Sequence, residues 1–185
     1  MIVNAQPLQL SLLAALWLSC QAVGNAADSK VYDLKLADVD GNELSTTDGH
    51  VTLLVFVTSQ DSENAQTVGD RVPDFCLGNP KYRMITVVET TKHSNPVRRV
   101  FAAVARHHLD AAARRLQERY DRNKIQRDAR RDVFAVIDFG GGIAGNFTEQ
   151  PAGSETWVVV LGPNGELRQK WNELPSAEAL ATVLK

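Results

Sequence analysis

Val51-Thr52-Leu53-Leu54-Val55-Phe56-Val57 is almost wholly apolar and rich in β-branched and aromatic side chains. Such a run suits a central strand buried on both faces, where neither side of the pleat meets water. Similar runs follow at Met84 to Val88, Val133 to Asp138 and Thr156 to Leu161. Between them the periodicity changes. Residues 59–76 read as a helix with polar opening residues, although Gly69 and Pro73 disfavour its second half. Over 96–131, Pro96 stands at a favoured first helical position, and Val97, Phe101, Val104, His108, Ala112, Leu116 and Tyr120 recur every three or four residues. That spacing predicts a helix whose apolar stripe (Val97, Phe101, Val104, Leu116) docks on the sheet.

Upstream of the first buried run, Val31, Leu34, Leu36, Val39 and Leu44 flank Asp38-Val39-Asp40-Gly41-Asn42. Asp-Gly between apolar runs is a hairpin signal, because glycine supplies the positive φ of the turn. The same string lacks the later ligands of a calcium loop, including its closing Glu. Downstream, Gly140-Gly141-Gly142 breaks the chain before a short segment at Ile143 to Phe147. Residues 156–171 predict a hairpin turning at Gly162-Pro163-Asn164-Gly165, with Trp157 or its neighbours packing on a helix, and Ser176 caps a last helix to Leu184. Strands alternating with helices in 185 residues imply one α/β domain, a central mixed sheet with helices on both faces.

Hydrophobic content of 44% and charged content of 23% are those of a globular chain and exclude disordered and fibrous classes. Residues 1–26 contain no Asp, Glu, Lys or Arg, and their apolar run from Leu8 to Leu18 is too short to span a bilayer. Small residues follow at 22–27. This reads as a signal peptide over 1–26, with a single domain over 27–185, although the usual positive start is missing; the alternative is a buried or interfacial N-terminal helix. The expected location is periplasmic or secreted. Membrane attachment is expected only if Cys20 is lipidated, and Trp17-Leu18-Ser19 before it is a poor match to such a site. If Cys20 leaves with the signal, Cys76 is the one cysteine left, and an intramolecular disulfide is impossible.

Several segments together resemble the thioredoxin-like superfamily, in its periplasmic TlpA, redoxin and AhpC/TSA type. The hairpin with Asp40-Gly41-Asn42 resembles the family's opening, and Leu53-Leu54-Val55-Phe56 the strand leading to its active site. Residues 133–138, 143–147 and 157–167 resemble its closing strand, helix and hairpin block, and are similar also to the YtfJ-like exported branch. The likeness covers about residues 31–90 and 132–185, and leaves 96–131 as an Arg-rich helical insertion. It implies a thioredoxin-like fold with an N-terminal β-hairpin. The family's redox cysteines fall five and eight residues after the strand Phe, where this chain has Asp61 and Asn64. The family's cis-proline stretch corresponds to Ser154-Glu155-Thr156, with Pro151 several residues early. The resemblance therefore implies a redox site without its CxxC motif.

Thiol–disulfide exchange needs an attacking thiolate and normally a second thiol to resolve the mixed disulfide. Cys76 alone is a weak candidate, since a lone cysteine more often packs as a small hydrophobe. Asp61, Ser62 and Glu63 at a helix start read as capping residues, the alternative being a cation site with Glu155. His93, His107 and His108 lack the helical spacing of a zinc pair, and no cofactor or metal is expected. Residues 98–131 hold eleven Arg or Lys against four acidic residues. Arg98, Arg99, Arg114, Arg115, Arg130 and Arg131 are candidates for an anionic partner protein or ligand, against a simpler reading as solvated or internally paired charge. Nucleic acid is not expected outside the cytoplasm. Asn146-Phe147-Thr148 fits a glycosylation sequon. The expected function is a non-catalytic binding module, with a thiol oxidoreductase or peroxidase using Cys76 and an external resolving thiol as the alternative.

Overall fold

A computed structural model describes residues 30–58, 60–91, 94–147 and 156–185. The segment 1–26 with Cys20, and Ser59, His93, Thr148, Pro151, Ser154 and Glu155, lie outside the described residues. Strands β1 (Lys35–Ala37) and β2 (Glu43–Ser45) form the opening hairpin, with Leu36 opposite Leu44. Its turn is held by Asp38, whose carboxylate accepts from the amides of Asp40 and Asn42 at 3.0 and 2.7 Å and from Asn42 Nδ2 at 2.8 Å. Gly41 supplies the positive φ there, +88°.

The main sheet comprises β3 (Val51–Thr58), β4 (Tyr82–Thr90), β5 (Val133–Phe139), β6 (Thr156–Leu161) and β7 (Leu167–Trp171), in the order β5-β4-β3-β6-β7. β3, β4 and β5 are mutually parallel; β6 is antiparallel to β3, and β7 to β6. The expected two-sided burial is met at the centre, where Val51 to Val57 and every residue of β6 are buried. The turn between β6 and β7 falls at Gly162 to Gly165 as expected, with Gly162 N–H donating to Glu166 O at 2.8 Å.

The α-helices are α1 (Ser62–Arg71), α2 (Asn95–Arg122) and α3 (Ala177–Leu184). Leu53, Val55 and Val57 of β3 pack with Ala65 and Val68 of α1 and Leu180 of α3. The alternate residues Leu54 and Phe56 face the other layer, with Tyr32, Leu36 and Leu44 of the opening segment and Phe147 beside the 3-10 helix Ala144–Asn146. Trp157 belongs to this second layer. It stacks on Phe56 (centroids 3.6 Å, planes 6° apart) and meets Phe147 edge-on at 5.7 Å, while its neighbour Val158 makes the expected helix contact, packing with Ala65 and Val68 of α1 and Leu180 of α3. The parity of the strand decides this, because Trp157 pairs with Phe56 in register and shares its face.

Both long helices are shorter than the sequence predicts. The first ends at Arg71, before Pro73, and only a 3-10 turn Asp74–Cys76 continues it. The second ends at Arg122, followed by Lys124 at φ +57° and a 3-10 turn at Ala129–Asp132. Its docking stripe is also rotated: Leu109, Ala113 and Tyr120 are buried, whereas Val97 and Val104 are exposed. Leu109 and Ala105 pack on Ala135, Val133 and Ile137 of β5.

Candidate functional site

β3 is the strand at which the sheet changes direction, with parallel β4 on one side and antiparallel β6 on the other. The carboxyl end of strands at such a switch is where open α/β sheets place ligands. Thr58 ends β3 there, and α1 begins four residues later at half-buried Ser62. Asp61 does not cap α1 with its side chain, contrary to the expectation. Its carboxylate instead accepts from Thr58 Oγ1 at 2.5 Å, and the first turn is closed by the Asn64 amide donating to Asp61 O at 2.9 Å. Glu63 is exposed in the first turn, where a carboxylate favours the helix dipole.

Asn64 Nδ2 donates to Thr156 Oγ1 at 2.9 Å, across 92 residues of sequence. The fold thus joins the two stretches that the resemblance matches separately, one to the redox motif and one to the cis-proline stretch. Nearby strand ends carry further polar groups. Trp157 Nε1 donates to Glu89 Oε1 at 3.0 Å, and buried Asp138 accepts from the amides of Ile143 and Ala144, each at 2.9 Å.

Cys76 lies beyond the other end of α1, about 15 Å away for a ten-residue helix. It is buried, and burial pushes its thiol up to about 11. A thiol so raised is almost wholly protonated at neutral pH and is a poor nucleophile.

The six candidate arginines differ in their partners. Arg130 is engaged internally, donating to Asp110 Oδ1 at 2.8 Å and Asp40 Oδ2 at 2.6 Å, and Arg98 lies over the Phe139 ring at 4.2 Å. Arg99, Arg114, Arg115 and Arg131 are exposed. Arg119 bridges the helices, donating to Gly69 O of α1 and Val72 O just after it, both at 2.8 Å, and to Asp74 Oδ1 at 2.9 Å.

Beside that bridge α1 and α2 stand apart and leave a groove of about 570 Å³. Met84, Thr86 and Val88 of β4 with Ala135 and Ile137 of β5 line it from the sheet; Phe101, Val104 and Leu116 line it from α2. Sequence periodicity does not reveal this groove, because the residues that line it look like ordinary core on a helical wheel.

A five-stranded mixed sheet with this order, helices packed on it and an antiparallel hairpin before it define a thioredoxin-like fold. Among solved structures, the chain is similar to the pneumococcal exposed lipoprotein thioredoxin Etrx1 from Streptococcus pneumoniae strain TIGR4, at 14% identity and a TM-score of 0.50, covering 83% of this chain and 98% of that one. It is similar also to a protein of Bacteroides thetaiotaomicron described as a candidate protein disulfide isomerase, at 14% identity and a TM-score of 0.51, covering 84% of each chain. No protein-family model and no curated protein sequence matches the chain. Among the described residues no helix is long and apolar enough to cross a membrane.

Proposed function

We propose that the chain is an exported thioredoxin-like binding module that performs no dithiol–disulfide chemistry. The observation that carries this is the Asn64–Thr156 hydrogen bond, which occupies the place where the resemblance puts a redox thiol and its neighbouring strand. An amide has no access to the sulfur redox couple. Cys76 supports the same reading, being buried, raised to about 11 and remote from the start of α1. The proposed organisation is a signal peptide over 1–26 and one domain over 27–185, with 96–131 as an insertion and a periplasmic or secreted location.

Insulin reduction by dithiothreitol, with and without the full chain, tests the chemistry. The expected rate is the background rate. Turnover above background that disappears in Cys76→Ser would overturn the proposal in favour of a thiol enzyme. N-terminal sequencing of the exported protein should find a start near Ala27 or Asp28.

A further inference from the structure

We infer that the groove between α1 and α2 binds a long-chain carboxylate, its alkyl tail lying over β4 and its head at Arg115. The inference names a ligand class for the binding reading above and rests on it. Three observations converge. The groove reaches the sheet itself, touching Leu53, Ala65 and Cys76, which are buried core residues. Its volume of about 570 Å³ falls within the range of small-molecule sites. A slot that deep and apolar suits an alkyl chain better than a flat protein surface.

The second observation is the lip. Val97, Val100 and Val104 are 37%, 63% and 50% exposed, at helical spacing along one edge of α2. Val100 and Val104 line the groove, so apolar surface continues outward from it. The third is charge. Of the groove's three arginines, Arg83 pairs with Asp48 and Arg119 with Asp74, while Arg115 has no carboxylate within ion-pair reach among the described residues. Arg115 lies eleven positions beyond Val104, about 16 Å along the helix axis. A ligand with an anionic head and an extended apolar tail matches that separation. Glu63 and Asp70 line the groove from α1 and would draw a cationic head instead, so the test sets the two head groups against each other.

Calorimetric titration of the full chain with laurate, below its micelle concentration, is compared with dodecyltrimethylammonium, which has the same tail length and the opposite head. Saturable binding of laurate, one per chain, is expected, with weaker binding of the cation. Arg115→Ala should weaken laurate roughly tenfold, the loss of a charged hydrogen bond, and leave dodecanol unchanged. Thr86→Trp should block the floor, and the surface change Val104→Glu should repel the tail if the first variant folds poorly. Absence of saturable binding, equal or tighter binding of the cation, or indifference to both Thr86→Trp and Val104→Glu overturns the inference. Binding to anionic vesicles without binding of monomeric laurate overturns it as well. The insulin assay is independent of all these outcomes, so failure here leaves the non-redox reading to its own test.

Discussion

Asn64 and Thr156 join the first turn of α1 to the first residue of β6 through a 2.9 Å side-chain hydrogen bond. A partly buried bond of this kind contributes about 1 kcal/mol. Asn64→Ala and Thr156→Val should each lower stability by about that amount, and the double variant should lose less than their sum. Urea unfolding of the four proteins measures the coupling. Strict additivity would show that the two side chains do not interact in solution.

Arg83 is buried on β4, its side chain 5% exposed, and donates to Asp48 Oδ2 at 2.9 Å and to Thr52 Oγ1 at 3.1 Å. Burial alone would raise the Asp48 carboxyl, but hydrogen bonds from Arg83 and His50 outweigh it and hold the group at about 2, below its ordinary 3.8. A depressed carboxylate contributes stability that is present above about 3.8 and lost as pH falls through about 2. Asp48→Ala should cost about 2–3 kcal/mol at neutral pH by leaving the buried guanidinium without its charged partner. Its unfolding free energy should also fall less steeply than the parent's as pH drops from about 3.8 to about 2. Parallel acid profiles for the two proteins would exclude Asp48 as the titrating group.

The central strands were legible because β3 and β6 are buried on both faces, and an apolar β-branched run has few other places to go. The hairpin turns were legible because Gly41 and Gly165 take positive φ, +88° and +80°. The face of α2 was not. Its buried set includes Ala113, a residue too small to stand out in a periodicity, while the more hydrophobic Val97 and Val104 are exposed. Nor was the pairing of Arg130 with Asp40, which spans 90 residues and leaves no local trace. The start of α1 was legible in its polar opening residues, but the bond from Asn64 to Thr156, across 92 residues, leaves no local trace in the sequence.

Gly165 tests the turn that joins β6 and β7. A Cβ there would sit 2.5 Å from the carbonyl oxygen of Tyr32, and the backbone φ of +80° is one that side chains disfavour. Gly165→Ala should therefore destabilise by about 2–3 kcal/mol. Gly41 has a similar φ, +88°, but open space around its Cβ position, so Gly41→Ala should cost about 1 kcal/mol. Thermal melts of the pair separate backbone strain from steric conflict. Equal losses would mean the contact with Tyr32 contributes nothing.

Cys76 offers a test of the thiol itself. Burial raises it from 9.0 to about 11, so the folded protein holds the neutral form more tightly than the unfolded chain does. The sign follows: any stability tied to this group is intact below about 9 and is lost as pH rises toward 11. Alkylation by iodoacetamide, followed by mass mapping of the peptide that contains Cys76, should be slow at neutral pH and climb steadily as pH approaches about 11. Denaturation in urea should bring the rate to that of an ordinary thiol, because the desolvation that suppresses the thiolate is then removed. Rapid alkylation of the folded protein at neutral pH would reveal a depressed, accessible thiolate and return Cys76 to candidacy as a nucleophile.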